Sequence, residues 1–313
     1  MVKYIFKRIL LLIPILIGVS FLVFSILALI PVDVGAVHLG MTATPESIYE
    51  WNEAHGLHDP FLVRYFNYML GLIQGDFGLS WATNTPVATE FFQRVPTTLT
   101  LAAGTIILVV MVGIPVGIIS AVKQYSIFDA AAVVSAMIFN AMPSFWLGLI
   151  LMLIFSLRLG LLPATGSDSV SSFILPWITS AAAMIASTIR MTRSAMLEVI
   201  RADYIQTAKA KGAKPMRIVV KHELRNAMLP MITVVGLLLG SALAGAVIVE
   251  TVFALPGVGT YMLTGINNYD MPVVMICVLF IATVIGVINL VIDVLYMYVD
   301  PRLRGQFIKM VRR

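Results

Sequence analysis

Residues 203 to 230, DYIQTAKAKGAKPMRIVVKHELRNAMLP, form the one polar, basic island in an otherwise lipid-soluble chain, and the rest of the sequence is read outward from them. Asp203 can cap a short helix on which Tyr204, Ile205 and Ala208 fall on one side. Lys209 and Lys211 sit in its last turn, where a helix C-terminus favours cations, and Gly212 stops it. Pro215 is acceptable in the first turn of a second helix, which carries Arg217, Lys221 and Arg225 and delivers the chain to Leu229 and Pro230, where an apolar run begins. The expectation is a helix, turn, helix elbow. A helix of about two turns is marginal alone, because nucleation is unfavourable, so this knob needs a docking groove on a soluble partner. On composition alone the same residues also read as an ordinary basic cytoplasmic loop.

With 59% apolar and 12% charged residues, and a mean hydropathy of +0.96, the chain is no ordinary soluble domain, in which about 25% of residues are charged. It reads as an integral membrane protein. The formal charge of +5 is explained by topology rather than by nucleic acid. The single cysteine, Cys277, lies in an apolar run and excludes an intrachain disulfide and a cysteine-rich metal site.

Lys3, Lys7 and Arg8 precede an apolar stretch, Ile9 to Ile30, that is too long for a signal peptide and long enough, at about 20 residues, to cross the bilayer. Further spans are expected at Thr97 to Val122, Ala130 to Leu157 with a kink at Pro143, Ser172 to Ile189, Met231 to Phe253 and Val273 to Tyr298. The fold class is therefore all-α integral membrane, with six transmembrane helices. The N-terminus, the loop at Lys123, the segment Arg190 to Arg225 and the tail after Asp300 hold 18 of the 21 Lys and Arg residues, and only Arg64, Arg94 and Arg158 fall on the other side. That asymmetry puts both termini in the cytoplasm. The organisation is then residues 1–30 as N-terminus and first span, 31–96 as a large extracytoplasmic segment, 97–298 as a five-span core containing the 203–230 loop, and 299–313 as a cytoplasmic tail. Trp51, Phe61, Tyr65, Phe66 and Tyr68 predict short helices lying on the membrane surface or on the other spans.

Several residues are candidates for the path and its movement. Gly113 and Gly117, and the series Gly236, Gly240 and Ala244, leave flat surfaces where helix backbones can approach, either as static packing or as a gating surface on the fifth span. Glu250 and Asp293 are intramembrane carboxylates; a structural hydrogen bond from Asn289 is the expected fate of Asp293. His38, His55 and His58 lack the further ligands that a metal site needs. Enzyme motifs fail: His222 and Glu223 open a H-E-x-x-H pattern that closes on Asn226, Gly257 and Gly259 open a G-x-G-x-x-G pattern that closes on Met262, and no G-x-x-x-x-G-K-[ST] occurs.

The elbow resembles the coupling loop of membrane subunits of bacterial ABC importers, in the version found in dipeptide, oligopeptide and nickel permeases. Asp203, Tyr204, Thr207, Ala208, Ala210, Lys211 and Gly212 match its first half, and His222, Leu224, Arg225, Asn226, Ala227, Leu229 and Pro230 its second; Gln206, Thr207 and Ala208 stand where sugar-type relatives carry Glu-Ala-Ala. The resemblance extends to Gly56, Leu57, Pro60, Gly75, Asp76, Gly78 and Ser80, to the stretch Pro143 to Gly148, to Leu162, Pro163 and Ala164, to Val249, Glu250, Phe253, Pro256, Gly257 and Gly259, and to Asn289, Asp293 and Asp300 to Arg302. Pro31 to Val34 departs from the usual P-G-D-P turn.

This resemblance implies a non-catalytic permease subunit in the bacterial inner membrane that forms half of a path for peptides. It implies a second, homologous permease subunit, two ATP-binding cassette ATPases that hold ATP and Mg and grip residues 203 to 212, and an extracytoplasmic substrate-binding protein. No cofactor or metal is expected in this chain. Nickel or a metal chelate is the alternative cargo, an ion-coupled secondary transporter the rival mechanism, and an intramembrane enzyme or assembly scaffold a further rival that lacks a catalytic cluster.

Overall fold

The computed structural model describes residues 2–40 and 42–299. Its regular structure is helical: α1 (Val2–Ala28), α2 (Val34–Leu39), α3 (Pro45–Ala54), α4 (Phe61–Ile73), α5 (Val87–Leu108), α6 (Ile114–Val122), α7 (Ile127–Ala141), α8 (Ser144–Leu151), α9 (Val170–Ile200), α10 (Asp203–Ala210), α11 (Pro215–Arg217), α12 (Arg225–Val252), α13 (Val258–Asn267) and α14 (Met271–Val299). Wider π turns occupy Val109–Gly113, Met152–Arg158 and Ile218–Leu224. Among the described residues the only extended pairing is an isolated bridge between Leu79 and Pro86. Five helices are long and apolar enough to cross a bilayer, and a sixth span results if the bent α7–α8 pair is one crossing.

Three spans differ from expectation for identifiable reasons. The second begins at Val87, not Thr97, and runs to Val122, because Pro96 is absorbed inside α5 and a π turn just before Pro115 accommodates a residue that cannot donate a backbone hydrogen bond. Residues 87–96, expected in the extracytoplasmic segment, are therefore helical. At Pro143 the third span does not kink but breaks: α7 ends at Ala141, Met142 is extended (φ −80°, ψ 126°), and α8 leaves at 102°. A residue preceding proline is pushed out of the α region, which turns a bend into a break. The span expected at 172–189 reaches Ile200, which at about 1.5 Å per residue is longer than a hydrocarbon core of about 30 Å.

The described residues fall into two compact units. In the first, formed from parts of 1–8, 99–255 and 285–313, α9 packs against α6, α7, α8 and α12. Glycines open its contact with the second span. A Cβ on Gly113 would lie 2.8 Å from the Thr188 Cβ, and one on Gly117 2.6 Å from the Thr192 Cβ and 2.9 Å from the Ile189 carbonyl oxygen. Gly104 makes room for the Trp177 indole, whose Nε1–H donates to the Thr100 carbonyl at 3.0 Å. In a bilayer, helices associate by such close packing rather than by a hydrophobic drive. A second tie is polar: Asp129, 4% exposed, accepts from Arg193 Nε and Nη2 at 2.7 and 2.9 Å, from the Ser120 hydroxyl and from the Tyr125 N–H. It pins the α6–α7 turn to α9.

The second unit comprises 9–98 and 256–284. The expected short helices are α3, which carries Trp51, and α4, which carries Phe61, Tyr65, Phe66 and Tyr68; α2 precedes them without having been expected. Asp33 caps α2 and accepts from Asn52 Nδ2 at 2.9 Å, while the Tyr65 hydroxyl of α4 lies 2.8 Å from Ser20 Oγ of α1. The G-D-x-G-x-S stretch turns through left-handed Gly75 (φ 83°) and Gly78 (φ 77°), and its Ser80 hydroxyl donates to the buried Asp270 carboxylate that precedes α14. Asp300 to Arg302 and the rest of the expected tail lie outside the described residues.

Gly117→Val is expected to cost about 1–3 kcal/mol by forcing α6 off α9, read as a lower midpoint of thermal unfolding in detergent. Gly18→Ala, where a Cβ meets nothing within 4 Å, leaves that midpoint unchanged or slightly raised. Equal midpoints for both variants would remove the close approach from the account of stability.

Candidate functional site: the polar elbow

The elbow is present and is built around one anchor. Ile205 on α10 is fully buried and Ala208, three residues on, is half-buried. Asp203, Tyr204, Thr207, Ala210, Lys211 and Gly212 are exposed, so six of the seven residues singled out in the sequence face outward together. Tyr204 does not join Ile205 on the packed side as expected: the inward positions are spaced three apart, and Tyr204 lies on the adjacent, outward arc. Nor does Asp203 cap α10. Ala202 is the cap residue and Asp203 the first helical residue, where its carboxylate meets the positive end of the helix dipole.

The C-terminal stop follows the sequence reading. Gly212 adopts φ +74°, its N–H donates to Lys209 O at 2.9 Å, and the Ala213 N–H donates to Ala208 O at 3.3 Å, the paired closure that a left-handed residue makes possible. No atom lies within 4 Å of a Cβ built on Gly212, so a substitution there is resisted by backbone conformation rather than by space.

The second arm is not a separate helix. Pro215 starts α11, and the chain continues through the π turn at Ile218–Leu224 straight into α12, with Pro230 inside it. Residues 215–252 thus run as one helical rod from elbow to membrane span. α10 packs on the π turn of that rod. Between them and the α6 end lies a cavity of about 400 Å3, lined in part by Gln124, Lys209, Pro215 and Glu223. Glu223 is 3% exposed; burial raises its carboxyl above the ordinary value, against the lowering pull of Lys209. Sequence reasoning met Glu223 only as part of a failed enzyme motif. It also missed Asp129, although Ser126 three residues before Asp129 is a helix-start signature, and the Asp129 N–H does donate to Ser126 Oγ.

The four pathway candidates do not gather with the elbow. They lie along α12 towards its far end, with Glu250 about 37 Å from Arg225 at 1.5 Å per residue. Gly236 is buried, and a Cβ there would run into Ile292 of α14; Gly240 reaches only Ile285, at 4.0 Å, and Ala244 is exposed. Only Gly236 is used for close packing within the chain. Glu250 is fully buried. Asp293 takes as its partner Arg8, at 2.8 Å, not Asn289. This contact is an ion pair without hydrogen-bond geometry. The three histidines are held in ring stacks, His38 and His55 on Trp51 and His58 on Tyr49, and no group of three potential metal ligands occurs among the described residues.

A helical membrane protein with a broken span and an exposed, glycine-stopped elbow feeding one continuous rod has the construction of a transport permease subunit. Residues 113–305 match the family described as binding-protein-dependent transport system inner membrane component, and residues 1–102 match its N-terminal companion. The chain is similar to the dipeptide transport system permease protein of Alkalihalophilus pseudofirmus, at 40% identity over 97% of this chain and 100% of that one, and to that of Escherichia coli, at 38% over 97% and 99%. The oligopeptide transport system permease protein of Bacillus subtilis is 38% identical over 97% of this chain and 99% of that one. A solved inward-facing MetNI methionine ABC transporter shares the fold, with a TM-score of 0.57 at 22% identity over 69% of this chain and 98% of that one. The chain belongs to the family of inner-membrane components of binding-protein-dependent transport systems.

Ile205→Ser removes the anchor of α10 and is expected to increase trypsin cleavage after Lys209 and Lys211 several-fold, whereas Thr207→Ser leaves it at the wild-type rate. The Glu223 carboxyl, raised in the fold, favours the native packing most below its unfolded value of about 4.5, and this contribution is lost as pH rises through its folded value. Cleavage at the elbow should therefore increase as pH rises above about 4.5, and Glu223→Gln should flatten that dependence.

Proposed function

We infer that this chain is the permease subunit of an ATP-driven importer of short peptides. The observation that carries this reading is the continuity of residues 215–252: α10 packs on the π turn of a helical run that continues unbroken into the fifth span. The relatives' names, for dipeptide, oligopeptide and glutathione transport systems, support peptides as cargo over nickel. So does the engagement of the three histidines in aromatic stacks.

In this reading the outward residues Asp203, Tyr204, Thr207, Ala210, Lys211 and Gly212, with Ala208 beneath them, enter a groove on an ATPase subunit. Two ATPases bind ATP and Mg, because the chain has no phosphate-binding loop of its own. A second, homologous permease completes the path, and an extracytoplasmic binding protein delivers cargo to the side of α2, α3 and α4. Both termini face the cytoplasm of a multi-pass inner-membrane protein, a reading that the distribution of basic residues supports. Closure of the ATPases tilts α12 and its glycine face, Gly236 and Gly240, from an inward-open to an outward-open arrangement. Glu250, buried near the outer end of the rod, holds that end in place. An ion-coupled mechanism has little to work with, since Asp293 is engaged by Arg8 and Glu250 also has an interaction partner.

Proteoliposomes carrying the chain with its partner permease, ATPases and binding protein are expected to take up labelled dipeptide when ATP is enclosed and to be indifferent to collapse of ion gradients. Gly212→Val and Ala208→Trp should each reduce uptake at least tenfold while the chain still inserts and assembles. Uptake of nickel but no peptide, or uptake that follows an ion gradient at constant ATP, overturns the reading.

A further inference from the structure

Within the second unit, two cavities meet at one guanidinium. A cavity of about 230 Å3 is lined by Arg64, Asp59, Asn67 and Tyr68, and another of about 170 Å3 shares Arg64, Leu57, Trp81 and Met271 with it. Together they reach the lower end of the roughly 300–1,000 Å3 typical of small-molecule sites. The floor is apolar and dry: Phe24 is 1% exposed and Met271 6%. Asp59 and Asn67 stand exposed at the rim.

Asn52 and His55 are hydrogen-bonded within the fold, but the cation in this space is not. Arg64 is half-buried, with its guanidinium 5.9 Å from the Phe24 ring centre, yet no described residue gives it a hydrogen bond or an ion pair. Burial pushes the Arg64 guanidinium down from its ordinary value, while the charge of Asp59 pulls it back, so the two charges sense each other without pairing. The Tyr68 hydroxyl is shut off from solvent and has no hydrogen-bond partner among the described residues. Burial raises its phenol, so it stays protonated and able to donate. A half-buried cation without a carboxylate partner is costly, and an incoming anion offsets that cost.

We propose that this cavity is a binding site for the free termini of a short peptide, with the terminal carboxylate on the Arg64 guanidinium and the terminal ammonium on Asp59. An anion alone would leave Asp59 unanswered and a cation alone would leave Arg64; a zwitterion satisfies both. Asn67 at the rim and the faces of Trp81 and His55 offer contacts for the backbone and side chains between the termini. The site rests on the reading of this chain as a peptide permease and deepens it, because it gives the permease its own hold on the cargo, at the ends of the first and last spans. The same charge pattern occurs in a phosphatidylethanolamine headgroup, so the test must separate the two sources.

Labelled L-alanyl-L-alanine is titrated against the assembled permease–ATPase complex, without binding protein, in phosphatidylcholine nanodiscs. Saturable binding is expected, about tenfold or more weaker in Arg64→Gln and in Asp59→Asn, as loss of a charge-assisted hydrogen bond implies. Arg64→Lys should restore part of it, and N-acetyl-alanyl-alanine amide, which has neither terminal charge, should not compete. Binding unchanged in Arg64→Gln, competition by the capped peptide, or absence of binding by the wild-type complex overturns the site. Loss of peptide binding when the nanodiscs contain phosphatidylethanolamine also overturns it and reassigns the cavity to lipid. ATP-dependent dipeptide uptake by the wild-type transporter is measured alongside: uptake without binding rejects only this site, whereas no uptake rejects the peptide permease itself.

Discussion

The buried course of α9 is the constraint on which the first unit depends. This helix touches α6, α7, α8 and α12, and it can do so only because the second span offers no side chain at Gly113 and Gly117 where Thr188 and Thr192 arrive. Lipid tails compete equally for apolar surface, so what holds helices together in a bilayer is closeness of fit. The same burial explains why α9 has the lowest hydropathy of the long spans. Thr188 returns its hydroxyl to the Met184 carbonyl at 2.8 Å, whereas the buried Thr179 and Ser180 hydroxyls of the same helix find no partner among the described residues.

From that fixed helix the chain passes through Arg201 and Ala202 into α10, and the packing changes character. Ala195 and Met196 of α9 are buried with Ala227 and Met231 of α12 in one apolar cluster that also includes Ala121. The elbow therefore stands on a well-packed base, but α10 itself contributes a single fully buried side chain, Ile205. A two-turn helix so lightly held to its own chain keeps its outer face uncommitted, while the rod beside it has no break at which a displacement would dissipate.

Much of this was legible in the sequence because apolar length, basic asymmetry and a glycine after a short polar helix each reflect a strong local cause. The stop at Gly212 and the short helices α3 and α4 follow from such causes. What was not legible required knowing a neighbour. Tyr204 and Ile205 are both compatible with a buried face, and only the packing of α10 on the π turn decides between them. Asp203 is a good capping residue displaced by one position, a shift that residue preference cannot resolve. The break at Met142 was written in the rule for residues before proline, but a long apolar run outweighed it. The short helix α13 between the last two spans had no strong signal, since its ten residues neither reach membrane length nor alternate cleanly.

The ionic contacts of the first unit differ in what they can contribute, and the difference follows from burial. Asp129 has lost nearly all its water and accepts from two guanidinium nitrogens, a hydroxyl and a backbone N–H; removing Arg193 would leave a buried carboxylate with half its donors, a loss of about 3–5 kcal/mol in comparable buried pairs. Arg8 retains 42% of its side-chain exposure and meets Asp293 through one nitrogen without hydrogen-bond geometry, so its pairing is the looser of the two. The first contact holds a turn against α9. The second supplies register: a carboxylate in an otherwise apolar stretch of α14 accepts the guanidinium at one height along the helix, which sets where the first turns of α1 lie beside it.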